Sequence, residues 1–189
     1  MAPAPVDCVF ADIVAEIGSG RRTLLDGGSA LAIDCSGAVR LDVAALSAIA
    51  KVPDARLHGA GADVRLALAV LGIDRLISPA ERVSPPPAIA PAFSASIDGA
   101  TVVIMVDRKA SDDGRLANPQ SHRWMVGLAA AVVAIDLAKL EHINSSIVAW
   151  ILLLVQAGRP ARFELRHVHR QVATQLTQLR LNHLLTVTD

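Results

Sequence analysis

Asn144, Ser145 and Ser146 stand between two apolar runs, residues 132–137 and 147–155. The first run has strand length, and the second is apolar all the way round and reads as a helix. Hydroxyls placed where a strand hands over to a helix lie beside the unpaired amides of the first helical turn, which favour an anion such as a phosphate. Two kinds of chemistry follow: a phosphate accepted on Ser145, with Ser146 second, or simple capping by Asn144 or Ser145, which stabilises a helix by about 1 kcal/mol. A phosphate would add about −1.5 to −2 charge at a helix end that welcomes it. The apolar helix exceeds the stripe of roughly 100° that a sheet can cover. Either the rest of the chain covers the excess, or a protein partner does. In the second case Asn144, Ser145, Ser146, Ile147, Trp150 and Ile151 form the partner-binding surface, with Trp150 as its anchor.

The remaining polar constellations carry less. His58, Gly59, Ala60 and Gly61 mimic the start of a dinucleotide fingerprint, but Val64 occupies the third glycine position, so a tight turn is the simpler reading. His167 and His169 lack a carboxylate or cysteine pattern beside them in sequence and make a poor metal site. Asp112 and Asp113 read as turn formers. No acid–base pair or nucleophile triad assembles from spacing alone, so the expectation is a protein that is not an enzyme, with no catalytic residue, cofactor or metal.

Of the 189 residues 52% are apolar and 19% charged, and the formal net charge is zero. That composition supplies ample material for a core. It lacks the basic footprint of a nucleic-acid binder, and with three Phe, two Trp and no Tyr there is little to stack on bases. Cys8 and Cys35 are too few for a disulfide framework, which fits a reducing cytoplasm. The N-terminal residues MAPAPVDCVF lack a signal-peptide pattern, and the run 147–155 is about half of the roughly 20 residues that span a bilayer. A cytoplasmic protein without membrane insertion is expected.

The elements that must position the serine turn read as follows. Residues 1–5 are a Pro/Ala tail, and 9–17 is a helix carrying Phe10, Ile13, Val14 and Ile17, stopped by Gly18. Residues 21–25 fit a short strand that turns back through Gly27 and Gly28. A strand at 31–35, a short helix capped by Asp42, a strand at 55–58 and a helix at 63–71 follow, with Gly72 ending the last in a left-handed turn and 73–77 closing the unit. Residues 79–92, with three consecutive prolines, form a semi-rigid linker. Strands at 93–97 and 101–106 are joined by Asp98 and Gly99, a hairpin signal. Residues 108–121 are polar and loop-like, and Asn118–Pro119 starts a helix that buries Trp124 and Leu128. Then come a strand at 131–137, the serine turn, a helix at 145–157 stopped by Gly158 and Pro160, a strand at 162–165, a helix at 170–179, and a terminal strand or helix at 184–187.

The halves repeat. Ile33 and Asp34 match Ile135 and Asp136 at the same spacing from Asp42 and Asn144; Leu46 and Ile49 match Val148 and Ile151. Ala55 and Arg56 match Ala161 and Arg162 at a second offset, and Val64, Leu68 and Leu71 match Val172, Leu176 and Leu179 at a third.

On the stretch IDLAKLEHINSS, residues 135–146, followed by an apolar helix, a strand, and a helix ending in LRLNHLL, the second copy resembles the STAS family of sulphate transporters and anti-sigma factor antagonists. The first copy resembles it through AIDCSGAVRLDVAALSAI and the tail LGIDRLI, but lacks the family's leading hairpin unless residues 23–35 serve as one. The resemblance implies an α/β fold of two STAS-like units, each a small mixed sheet covered by helices, packed as an internal pseudo-dimer: a degenerate unit at 1–78, the linker at 79–92, and a STAS-like domain at 93–189. It further implies a bacterial, non-enzymatic regulator or scaffold whose second unit binds a protein partner, such as an anti-sigma kinase, and whose Ser145 corresponds to the family's phosphorylated serine. Asn144 and Ile147 replace the family's aspartate and glycine, and Val43 stands at the serine position of the first copy. The alternatives are an accessory STAS subunit that grips the ATPase of a lipid-trafficking ABC transporter, and a nucleotide- or small-ligand-binding module. Homodimer formation stays open.

Overall fold

The computed structural model describes residues 6–21, 23–26, 30–83, 92–111 and 114–188. The N-terminal tail at 1–5, the Gly27–Gly28 turn, the three prolines of the linker, and Asp112 and Asp113 lie outside them. The chain is a mixed α/β protein. Its first half runs β1 (Val6–Val9), α1 (Phe10–Gly18), α2 (Thr23–Asp26), β2 (Leu31–Asp34), β3 (Leu41–Asp42), α3 (Val43–Ile49), β4 (Ala55–His58) and α4 (Ala62–Val70). Its second half runs β5 (Phe93–Asp98), β6 (Thr101–Val106), α5 (Gln120–Arg123), β7 (Leu128–Ala129), β8 (Val132–Asp136), α6 (Ser145–Gly158), β9 (Arg162–Arg166), α7 (Arg170–Gln178) and β10 (Thr186–Thr188).

The first half builds a parallel sheet in the order β1-β2-β4, extended by a bridge between Leu57 and Ile77. The second builds a five-stranded sheet in the order β10-β9-β8-β6-β5, in which only the β5–β6 hairpin is antiparallel. Period-two alternation gives each sheet one buried face, because successive side chains leave a strand on opposite sides. Leu31, Ile33, Ala55 and Leu57 point inward in the first sheet, and Val102, Ile104, Val133, Ile135, Phe163 and Leu165 in the second. The buried side chains of both halves form one continuous core.

Corresponding positions adopt the same conformations. Asp34 accepts the amide of Ser36, and Asp136 that of Ala138, both at 2.8 Å. Asp42 caps α3 through Ala45, and Asn144 caps α6 through Ile147. Gly59 and His167 both take positive φ, +69° and +51°, where β4 and β9 hand over to the next helix, and Gly72 and Arg180 do so again after α4 and α7. The register corrects the sequence alignment at one place. Ile33 pairs with Leu57 and Ile135 with Leu165, so Ala55 corresponds to Phe163 rather than to Ala161. One insertion then accounts for the whole offset, at the end of α6, which has 14 residues where α3 has 7.

Several elements differ from expectation. Residues 6–9 form a strand parallel to β2, so among the described residues the first half has no leading hairpin. Residues 23–26 are helical, not a strand. Pro79–Glu81 is a 3-10 turn rather than extended linker. Instead of a polar loop, Arg108–Ser111 and Arg115–Ala117 are 3-10 turns that bury Ala110 and Leu116; α5 buries Ser121, and a 3-10 turn at Trp124–Gly127 buries Met125 and, as expected, Trp124.

The halves meet through short elements. β3 pairs in parallel with β7, Leu41 with Leu128 and Asp42 with Ala129. Gly127 lies so close to α4 that a Cβ there would sit 2.5 Å from the Asp63 carbonyl oxygen and 2.9 Å from the Val64 Cα. Asp63 also pairs with Arg123 at 2.9 Å. Arg40 donates to the carbonyl oxygens of Ala157 at 2.7 Å and Val126 at 3.0 Å.

Candidate functional site

The serine turn is held from both sides before it reaches Ser145. The Leu137 amide donates to the carbonyl of Arg166 at 3.0 Å, and Leu140 closes back on Leu137 at 2.9 Å. The side-chain amide of Gln175, on α7, bonds both backbone groups of Ile143: Oε1 accepts its N–H at 3.3 Å and Nε2 donates to its carbonyl at 3.5 Å. Asn144 then takes the N-cap of α6, its Oδ1 accepting the Ile147 amide at 3.0 Å. Ser145 and Ser146 follow as the first two helical residues and are exposed. No acidic residue occupies the first turn of α6, so the positive end of the helix dipole meets no carboxylate of its own first turn. Capping therefore falls to Asn144 and leaves the Ser145 hydroxyl on the surface.

The partner-facing set separates into two groups. Ile147, Trp150 and Ile151 are 0%, 1% and 0% exposed, which overturns the expectation that they meet a partner. Trp150 packs tilted against Phe93, ring centroids 5.2 Å apart, and donates its indole N–H to the Ser121 carbonyl at 3.1 Å; Trp124 donates to the same oxygen at 3.0 Å. Two indoles and Phe93 thus fill the core over α6, packed by the 3-10 turns at Arg115–Ala117 and Trp124–Gly127 and by α5, part of which lies in the stretch 108–121 that reads as a polar loop in sequence. The excess apolar face of α6 is covered mainly by its own half.

What remains outside is Asn144, Ser145 and Ser146 together with a narrower apolar strip. Val148, Ala149 and Leu152 of α6 face Ile143 and Leu179 across a groove of about 360 Å³, with Ser145 and Gln175 on its lining. Leu179 is 52% exposed, and Leu153 beside the strip is 37% exposed. In the first half Val43 occupies the place of Ser145 and is fully buried.

Gly59 follows the tight-turn reading: at φ +69° a Cβ would lie 3.0 Å from that of Ser36. His167 and His169 are exposed, and His169 precedes α7 as its N-cap residue. The fold does bring a carboxylate to His167, whose Nδ1 lies 3.0 Å from Asp136 Oδ2. Sequence spacing misses this pair because its members are 31 residues apart. Among the described residues no three His, Cys, Asp or Glu side chains converge as a metal site would need. Burial, reinforced by Asp34, pushes the Cys35 thiol up to about 12, which makes it a poor nucleophile. The Ser36 amide, then the Ser36 hydroxyl and His58, hold Asp34 below the usual carboxylate range. Among the described residues no helix is long and apolar enough to cross a membrane.

Compared with known protein families, with curated proteins and with solved structures, the chain shows no significant match.

Proposed function

We propose that the chain is a non-enzymatic cytoplasmic regulator or scaffold that docks a protein partner on the Asn144–Ser146 turn and the adjoining apolar strip, with Ser145 as the position where a phosphate switches binding. One observation carries the reading: Ser145 is exposed at the start of a 14-residue helix whose cap is made by Asn144. A phosphate there gains the helix dipole and free amides without melting the helix, and presents about −1.5 to −2 charge beside Val148, Ala149 and Leu152. An apolar or acidic partner surface loses contact under that charge. The sheet of the second half, led by the β5–β6 hairpin and followed by strands alternating with α6 and α7, supports the resemblance to the STAS domain of anti-sigma factor antagonists. The first half, without a serine at position 43, would serve as a degenerate STAS-like companion.

Affinity capture from native cells, followed by phosphosite mapping and titration of each purified partner against Ser145→Asp and Ser145→Ala, tests this. Ser145→Asp should weaken or exchange a partner that Ser145→Ala retains. Equal affinities for every partner would sink the switch. The replacement of the family's aspartate and glycine by Asn144 and Ile147 favours a second, phosphate-free reading, in which the same strip grips the ATPase of a lipid-trafficking ABC transporter. Co-purification with an ATPase and permease, with Ser145 unmodified, selects that one.

A further inference from the structure

The two halves treat one backbone edge differently. In the first half the edge at Leu41–Asp42 is paired in parallel by β7, and the preceding Gly127 seats directly on the first turn of α4. The matching edge in the second half is Ile143–Asn144, fixed by the shared cap positions Asp42 and Asn144. Among the described residues no strand pairs there. Instead the Gln175 amide offers one acceptor and one donor to the N–H and C=O of Ile143, the pair of bonds a neighbouring strand would supply. The residue matching Gln175 is Ala67, placed by the left-handed residues Gly59 and His167 before the helix and Gly72 and Arg180 after it. Ala67 is fully buried and carries no group that could bond the Leu41 backbone as Gln175 bonds that of Ile143.

We infer that Gln175 is a side-chain latch that closes a strand-docking edge at Ile143–Asn144, and that the edge accepts an extended, glycine-containing segment in parallel when the latch withdraws. The occupant follows from the filled edge in the same chain. Gly127 is required there because a Cβ would strike Asp63 and Val64, and α7 presents the same first-turn backbone at Gln171 and Val172. Backbone bonds supply affinity in such strand addition, and the side chains supply choice. The latch bonds, at 3.3 and 3.5 Å, are at the long end of the hydrogen-bond range and are the ones a true strand would outcompete. This proposal does not require a phosphate on Ser145.

A fluorescent peptide with the sequence of residues 123–130, the segment that fills the equivalent edge, is the probe. Anisotropy titrations compare the wild-type chain with Gln175→Ala and Gln175→Met, and amide hydrogen exchange follows Ile143 and Asn144. Both variants should bind at least tenfold more tightly than wild type, with slowed exchange at Ile143 in the complex. A peptide carrying Gly127→Val should lose that binding. Variants that bind no better than wild type overturn the latch, as does equal binding of the glycine and valine peptides, which would mark nonspecific apolar adhesion. Loss of the folding transition in both variants would make Gln175 a support of the fold and would overturn it too, leaving the Ser145 experiment unaffected.

Discussion

Arg40 donates its Nη1 to the carbonyl oxygen of Arg159 at 2.5 Å, across 119 residues of chain. The same guanidinium reaches Ala157, Val126 and Met125, so one side chain from the first half satisfies the last carbonyls of α6 and the turn before β7. The C-terminal carbonyls of a helix have no partners within it, and a planar cation with several donors suits them. Arg40→Met keeps the stem and removes the donors. It should destabilise the chain by about 1.5–3 kcal/mol, the range for bonds to a charged group, measured as a shift of the urea midpoint with an unchanged slope.

Gly127→Ala should be destabilising by about 1–3 kcal/mol, because the new methyl meets backbone of α4 rather than a flexible side chain. Gly37→Ala is the matched control: among the described residues nothing lies within 4 Å of a Cβ placed there, and stability should stay within about 0.5 kcal/mol. Thermal melts of the two variants side by side decide whether the contact between the halves is as tight as the backbone spacing indicates.

The burial of Trp150 separates packing from docking. Trp150→Ala should cost about 3–5 kcal/mol as a large core truncation. Leu153→Ser and Leu179→Ser, at half-exposed positions, should cost no more than about 1 kcal/mol while reducing partner affinity. A partner indifferent to both leucine variants does not use this strip.

Stability should fall on acidification in two stages. Burial lowers the pKa of His122, whose Nδ1 has no hydrogen-bond partner among the described residues, so the folded state resists a proton that the unfolded chain binds below about pH 6.5. Asp34 is lowered by the Ser36 amide and Asp107 chiefly by the Lys109 amide, with Lys139 assisting. Their stabilisation is present above the unfolded value near pH 4 and is lost as pH falls through the depressed folded values. His122→Leu should flatten the upper stage and Asp34→Asn should reduce the lower one, read from urea midpoints between pH 7 and pH 3.

Local chemistry by itself determined the alternation of strands and helices, the cap at Asp42, the hairpin at Asp98–Gly99 and the left-handed end at Gly72. Each depends on residues within a few positions of one another, so periodicity and turn preference suffice to reveal it. The repeat was legible for the same reason, although its register at β4 and β9 waited for strand pairing. Only tertiary structure decided the surroundings of the serine turn. Trp150 could be read as an anchor or as core, and the choice fell to Phe93 and Ser121, far away in sequence. Burial is a property of what packs against a residue, and no local pattern encodes it. Gln175 gave a weaker signal, a polar residue where the first half has Ala67, and its meaning appeared once α7 laid it across Ile143. Ser145 kept its exposure because Asn144 assumed the cap, a division of labour between neighbours that the sequence permitted and the fold selected.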